Sequence, residues 1–255
     1  MEIQILIFGK SRGSKEAAKE IGAEYIPNVK CNEEGTPLLG ELFKEADRRA
    51  QFSIMTFLNA DIILPENFLN TIEIVSKKFK KFLMIGHRWD MDINYIIDLK
   101  NENGKEKFWN SVVKNSKKHP CTGIDYFVYR RGMYKDIPDL VIGRWGYDNW
   151  LVWKARRNLI SVIDSSNSIC AVHQNHPYSN TNPKSGMEYN SNQKIIEGKM
   201  LNILDATYKL ENGKIINKTE YEERIRYLHR LPFIFPEFAL PINFFRRVYK
   251  KLVVI

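Results

Sequence analysis

Residues 52–64, Phe52-Ser53-Ile54-Met55-Thr56-Phe57-Leu58-Asn59-Ala60-Asp61-Ile62-Ile63-Leu64, decide the fold class. Phe52 to Leu58 is an apolar run of strand-forming residues, and Asn59-Ala60-Asp61 interrupts it with residues that favour turns. Pro65 to Lys80 then places Phe68, Leu69, Ile72 and Val75 at helical spacing, and Phe82 to Gly86 returns to a strand. Strand, turn, helix and strand in succession predict an α/β layered domain with a mixed but largely parallel sheet flanked by helices. Ligands of such domains gather at the carboxyl ends of the strands. Asn59-Ala60-Asp61 lies at such an end.

The alternation continues outward in both directions. Ile3 to Phe8 reads as a strand, Gly9-Lys10-Ser11-Arg12-Gly13 as a loop, and Ser14 as the cap of a helix over Lys15 to Ile21. Tyr25-Ile26-Pro27 is a second short strand. Thr36-Pro37 has the form of an N-cap and a first-turn proline, ahead of a helix to about Ala50 with Leu38, Leu39, Leu42, Phe43 and Ala46 on one face. Downstream, Asn101 to His119 is polar and lysine-rich and is predicted to be a surface excursion. Asp125 to Tyr129 and Leu159 to Ile163 read as strands, Gly146-Tyr147-Asp148-Asn149 opens a helix through Arg157, and Asn212-Gly213 signals a hairpin. Residues 1–230 form one expected domain, and 231–255 a tail.

A chain of 255 residues, 44% apolar and 12% aromatic, can bury a sizeable core and falls outside the composition of disordered chains. Its 39 Lys and Arg against 30 Asp and Glu give a net charge of +9, which favours anionic partners without choosing among nucleic acid, acidic lipid and phosphorylated ligands. A nucleic-acid reading rests on that charge alone, since the lysines are scattered and no RNA-binding aromatic signature or zinc finger is present. Cys31, Cys121 and Cys170 are widely spaced with no CxxC pair, which argues against a disulfide framework and suits a reducing cytoplasm. The amino-terminal residues lack the features of a signal peptide, and no apolar run approaches the roughly 20 residues that span a bilayer. The expectation is a cytoplasmic protein, soluble or peripheral on the inner face of a membrane.

Asp61 at a strand end, Asp148 at a helix start and His173 or His176 later in the chain are residue types that hold a divalent cation and supply a general base. Each also has a plainer reading. Asp61 suits an Asx turn and Asp148 a helix cap, and an isolated HxxH is weak as a metal signal. Gly9 to Gly13 suits phosphate through its backbone, Lys10 and Arg12, or a plain turn; it matches neither the P-loop nor the dinucleotide pattern. Trp145, Trp150 and Trp153 suit stacking on a sugar ring or packing in a core. Leu231 to Phe245 is apolar and punctuated by prolines, and Arg246, Arg247, Lys250 and Lys251 follow it. That pattern suits an anionic membrane surface or packing on the domain.

Four segments in order carry a resemblance: Phe57-Leu58-Asn59-Ala60-Asp61-Ile62-Ile63-Leu64, Ile85-Gly86-His87-Arg88-Trp89-Asp90, Ile142-Gly143-Arg144-Trp145-Gly146-Tyr147-Asp148-Asn149-Trp150-Leu151 and Val172-His173-Gln174-Asn175-His176-Pro177-Tyr178. From Ile3 to Tyr178 the chain resembles family-2-like glycosyltransferases of the GT-A (Rossmann-like) fold. The resemblance implies that Asn59-Ala60-Asp61 occupies the place of the Asp-X-Asp motif at a nucleotide-sugar donor, with Asn59 in place of the first carboxylate. It implies that Asp61 holds Mn²⁺ or Mg²⁺ with His173 or His176, and that Asp148 is the catalytic base, with Tyr147 in place of a glutamate. Gly9, Lys10 and Arg12 would add donor contacts, and Trp145 and Trp150 acceptor contacts. One departure concerns the start: Ile3 to Phe8 resembles the family's second strand, and its first has no counterpart. The expected activity is metal-assisted transfer of a sugar to a hydroxyl of a glycan or lipid-linked acceptor. The alternatives are a non-catalytic GT-A-like binding protein and a nucleotidyltransferase, of whose pyrophosphate loop Gly9 to Gly13 is a poor version.

Overall fold

The computed structural model describes residues 2–176 and 187–239. In order these form β1 (Leu6–Phe8), α1 (Ser14–Glu20), β2 (Glu24–Ile26), α2 (Leu39–Arg49), β3 (Ile54–Leu58), β4 (Ile62–Ile63), α3 (Phe68–Lys78), β5 (Phe82–Ile85), β6 (Arg88–Met91), α4 (Glu102–Asn115), β7 (Lys117–Lys118), β8 (Tyr126–Arg130), α5 (Tyr147–Arg157), β9 (Ser161–Asp164), β10 (Ala171–Gln174), α6 (Met187–Ile196), β11 (Tyr208–Glu211), β12 (Lys214–Asn217) and α7 (Tyr221–Ile234). Short 3-10 turns cover Ile203–Asp205 and Pro236–Phe238.

Strand β5 divides the core in two. Its four residues are fully buried, Leu83 and Ile85 in one cluster and Phe82 and Met84 in the other, because successive side chains leave a strand on opposite faces. Its neighbours repeat the pattern, with Phe127, Tyr129 and Val162 on the first face and Tyr126, Val128 and Ile163 on the second. Helices α2 and α5 cover the first face with Leu39, Phe43, Leu151 and Val152, and α3 covers the second with Phe68, Ile72 and Val75. Helices on both faces explain why the central strands read as unbroken apolar runs.

The main sheet has six strands in the order β12-β11-β9-β5-β8-β3. The expected dominance of parallel pairs does not hold. Strand β9 is parallel to β5 and β11, but β8 is antiparallel to β5 and β3, and β12 is antiparallel to β11. Strand β8 re-enters the sheet after the α4 region at the same end where β5 leaves it, and so runs antiparallel to β5. The β11–β12 hairpin turns on Asn212-Gly213, both in the left-handed region (φ 49° and 71°), as a tight two-residue turn requires. A second sheet has the order β4-β10-β6-β7, and β1 and β2 form a separate parallel pair. Gln4 ties the start of that pair to the end of α2, donating from Nε2 to Arg49 O (3.1 Å) and accepting from Gln51 N (2.9 Å).

Two local expectations change. Residues 101–119 are not a bare excursion, since Asn101 caps α4 by accepting from Gly104 N at 2.7 Å, and Phe108 and Val112 pack with Met91, Ile93 and Val172. Lys and Glu are good helix formers, and so narrow an apolar stripe is hidden among them. Thr36-Pro37 does not start a helix, because Pro37 and Leu38 bridge to Cys31 and Val141 and α2 begins after Leu38. Leu231–Ile234 close α7, with Ile234 in the first core cluster and Phe235 packed against it. Pro177 and Tyr178, and residues 240–255 with Arg246, Arg247, Lys250 and Lys251, lie outside the described residues. Among the described residues no helix is long and apolar enough to cross a membrane, and the three cysteines are free thiols.

Gly86, just after β5, offers a sharp test of this packing. A Cβ there would sit 2.0 Å from the Tyr126 hydroxyl, which is fully buried and bonded to Ser165 Oγ at 2.9 Å. Gly86→Ala is expected to destabilise the fold by about 1–3 kcal/mol or more in denaturant titration, since a buried hydroxyl and its partner must both move.

Candidate functional site

At one end of the main sheet the chain passes between the two larger sheets four times. Strand β3 leads to β4 through Asn59-Ala60-Asp61, β5 to β6 through Gly86-His87, β9 to β10 through residues 165–170, and β7 to β8 through residues 119–125. At each crossing the ladder is interrupted and its backbone groups need new partners. Asn59 N donates to Asp125 O (3.2 Å), Ser165 N to Ile85 O (2.8 Å), His87 N to Ser166 Oγ (2.9 Å) and Gln174 N to Asp61 O (3.0 Å). This seam is where the sequence-predicted residues converge.

Register in the smaller sheet sorts the side chains. His173 lies beside Asp90 in the parallel β10–β6 pair, Arg88 shares the face of Asp90 two residues before it, and His119 N donates to Arg88 O. Met91 and Val172 join the opposite, apolar core with α4. On the polar face Asp90 is the hub. Its Oδ2 is bonded to His119 Nδ1 at 2.5 Å, and its Oδ1 lies 3.2 Å from His173 Nδ1 and 2.9 Å from Arg88 Nε. The two Oδ1 contacts are charge contacts at close range without hydrogen-bond alignment. Burial works to raise the Asp90 carboxyl, but His119, Arg88 and His173 outweigh it and hold the group below the usual range.

With Nδ1 toward Asp90, His173 turns Nε2 to within 3.4 Å of Asp61 Oδ2, and His176 Nε2 is 3.1 Å from the same oxygen. One ligand atom from each of Asp61, His173 and His176 lies within 4.8 Å of the others, with His173 buried, Asp61 half-buried and His176 exposed. Nitrogen and oxygen ligands bind divalent cations at roughly 2.0–2.3 Å, so ligand atoms must come within about 4.5 Å of one another, and small rotations suffice here. The second Asp61 oxygen is buried, and among the described residues it has no hydrogen-bond partner, a need that a cation would meet. The cluster fits a metal ion that is open to solvent on one side.

A second network joins this cluster to α5. Asp125 accepts from Asn59 Nδ2 (2.5 Å) on one oxygen and from Arg88 Nη1 (2.9 Å) on the other. The buried Tyr147 ring packs edge-on against Phe57 of β3, centroids 6.4 Å apart, and the Asn59 amide is engaged by Asp125. Asn149 Nδ2 donates to Thr122 O at 3.2 Å, which holds the start of α5 against the segment that carries Asp125. Asp148 follows Tyr147 in the first turn. Burial pushes its carboxyl up to about 7 and the Asp125 charge adds to the rise, while backbone N–H groups of Asn149, Ile124 and Asp148 itself work against it.

Asn59, Asp61, Asp148, His173 and His176 therefore gather at one seam. Gly9, Lys10 and Arg12 lie at the end of β1, and among the described residues no hydrogen bond or ion pair joins them to it. Trp145 is 42% exposed just ahead of α5, whereas Trp150 is core, 4% exposed, with its ring 6.1 Å from Trp153. Sequence reasoning gave no role to Arg88, Asp90, His119 or Asp125. Arg88-Trp89-Asp90-Met91 does alternate polar and apolar residues, which signals a strand with one polar face. No protein-family model matches the chain, and no curated protein matches it.

Mn²⁺ titration by calorimetry checks the cluster. Asp61→Ala is expected to abolish measurable binding, and Asp90→Asn to weaken it about 10–100-fold by releasing His173. Equal affinity in wild type and Asp61→Ala would remove Asp61 from the site.

Proposed function

We propose that the chain is a metal-dependent glycosyltransferase of the GT-A kind, moving a sugar from a nucleoside-diphosphate donor to a hydroxyl of a glycan or lipid-linked acceptor. The observation that carries this reading is the presence at one seam of the Asp61–His173–His176 cluster and of Asp148, a half-buried aspartate whose carboxyl is pushed up to about 7. The resemblance read from the sequence supports it, because its four separate segments supply Asp61, Asp90, Asp148 and the two histidines of one seam.

Asp61, His173 and His176 would hold the cation, and a bound cation supplies neutralisation of the charge that develops on the departing diphosphate. Two imidazoles favour a first-row transition ion such as Mn²⁺ over Mg²⁺, which prefers oxygen. Asp90 orients His173. Asp148 takes the proton from the acceptor hydroxyl: a carboxyl near 7 is a stronger base than an ordinary one and is still substantially ionised at neutral pH. On the resemblance, Asn59 and Tyr147 stand where the family carries carboxylates; here Asn59 bonds to Asp125 and Tyr147 packs against Phe57 of β3. Trp145 offers an exposed ring on the acceptor side, and Lys10 and Arg12 add positive charge for the donor. The engagement of Asn59 and the separation of β1–β2 from the main sheet favour a second reading, a binding protein without turnover. Thermal shift against nucleotide sugars with and without Mn²⁺, followed by hydrolysis or transfer assays on any stabilising donor, separates the two.

Asp148→Asn yields two expected outcomes. Transfer falls about 10²–10⁴-fold with donor binding retained. Stability moves the other way. The folded carboxyl titrates near 7 against an ordinary 3.8, so between those values the unfolded chain has lost a proton that the folded protein keeps, and wild-type stability falls as pH rises. Asp148→Asn is therefore expected to be more stable than wild type at pH 8 by about 1–4 kcal/mol, with the difference vanishing below about pH 4, in urea titrations. A variant with full turnover sinks the base role, and one with no gain at pH 8 sinks the buried-charge account.

A further inference from the structure

Helix α7 is poorly covered. Of its 14 residues only Ile234 is buried, and Ile225, Leu228 and Leu231, three apart, are only partly covered. A surface helix usually buries one apolar stripe and offers polar residues to water. Here Tyr227, Phe233 and Phe238 are 45%, 54% and 57% exposed. The backbone beneath them is fixed. Trp153 Nε1 donates to Phe233 O at 2.9 Å, Arg157 pairs with Glu237 at 2.5 Å, and the Arg157 guanidinium lies 5.2 Å from the Phe235 ring. With Ile234 and Phe235 turned inward, Phe233 and Phe238 are held outward.

The same end of the chain concentrates the positive charge. Residues 224–255 carry seven Lys and Arg against one Glu, so this stretch accounts for six of the nine net charges, and the one Glu, Glu237, is paired with Arg157. Arg224 is exposed, Arg226 and Arg230 pair with Asp205 at 2.7 and 3.3 Å, and Arg230 also lies 5.9 Å from the Phe233 ring. The sequence beyond the described helix continues the theme with Leu240-Pro241-Ile242-Asn243-Phe244-Phe245 before Arg246 and Arg247. We propose that the carboxyl half of α7 and the turn after it form a face that docks on an anionic lipid membrane. Exposed aromatic and aliphatic side chains would enter the headgroup boundary while the basic side chains meet lipid phosphates and carboxylates. Nucleic acid would satisfy the arginines and stack on the rings, but would leave the aliphatic side chains uncovered, so the lipid surface fits more of the face.

The test is co-sedimentation of the full-length protein with vesicles of phosphatidylcholine, with and without phosphatidylserine. Wild type is expected to pellet with the phosphatidylserine vesicles and to be released by salt. Phe233→Ser with Phe238→Ser should keep the melting temperature and weaken partitioning about tenfold or more, the expected loss for two large side chains removed from an apolar boundary. Arg246→Glu with Arg247→Glu should weaken it for anionic vesicles alone. Brominated lipid should quench part of the tryptophan emission of the wild type, because the Trp153 indole is hydrogen-bonded to the Phe233 carbonyl of the docking face. Failure of the wild type to pellet overturns the proposal. So does undiminished binding by the phenylalanine double variant, or preferential capture of the wild type by single-stranded RNA over the vesicles.

Discussion

Asp125 makes the contact on which the seam depends. Its carboxylate is 7% exposed and spans two crossings, receiving Asn59 from the end of β3 and Arg88 from the start of β6. Both charges of the Arg88–Asp125 pair are largely out of water, and removing one partner of such a pair leaves the other uncompensated, a cost of about 3–5 kcal/mol. Beside it the Phe57 ring of β3 meets Tyr147 edge-on, and Asn149 Nδ2 donates to Thr122 O, so the start of α5 is held against the ends of the strands that Asp125 joins. The placement of Asp61 two residues after Asn59, and of Asp148 one residue after Tyr147, follows from that lock.

Around this lock the seam uses burial and register in opposite ways on two aspartates. Asp90 sits among His119, Arg88 and His173, and stays ionised in spite of burial. Asp148 lies among backbone N–H groups with Asp125 as its charged neighbour, and burial prevails. Two carboxyls a short way apart are thus driven in opposite directions, one toward a fixed negative charge that orients an imidazole and the other toward proton exchange near neutrality. Pairs of titratable groups pushed apart in this manner are how one site divides structural from acid–base work. The instability that a carboxylate at Asp148 brings is tolerated because the core under α5, with Leu151 and Val152 fully buried, is formed independently of it.

The strand–turn–helix–strand reading of residues 52–86 found β3, α3 and β5 because each has a local period, and the Asn212-Gly213 turn declared its hairpin for the same reason. Sheet direction had no such local mark. Nothing in Asp125 to Tyr129 itself says that the strand runs against β5, since that is settled by where the chain re-enters after α4. Asp61 and the histidines were legible as residue types, but their meeting needs β10 to lie between β4 and β6. Asp90 was harder still, because its role arises only when residues 83 apart are placed side by side by strand register. Trp150, readable as a sugar platform or more readily as core, is core because α5 buries the face that carries it.

Charge balance at the seam bears on the proposed reaction more directly than the charge of the chain. The protein is basic as a whole, yet Asp61, Asp90, Asp125 and Asp148 gather at this seam, where Arg88 pairs with Asp90 and Asp125. Like charges about 4 Å apart in a partly buried setting repel by roughly 4 kcal/mol, so an anionic diphosphate brought against Asp61 would be driven off unless positive charge stood between them. Lys10 and Arg12 lie at the end of another sheet, and the basic carboxyl-terminal residues belong to a different part of the chain. The carboxylate of Asp61, with one oxygen unsatisfied and two imidazole nitrogens turned toward the other, calls for a small cation at that point. On the proposed reading, donor binding and metal binding would be one requirement at this seam: without an ion the local field opposes a phosphorylated ligand, and with one the same aspartates would anchor the charge that attracts it.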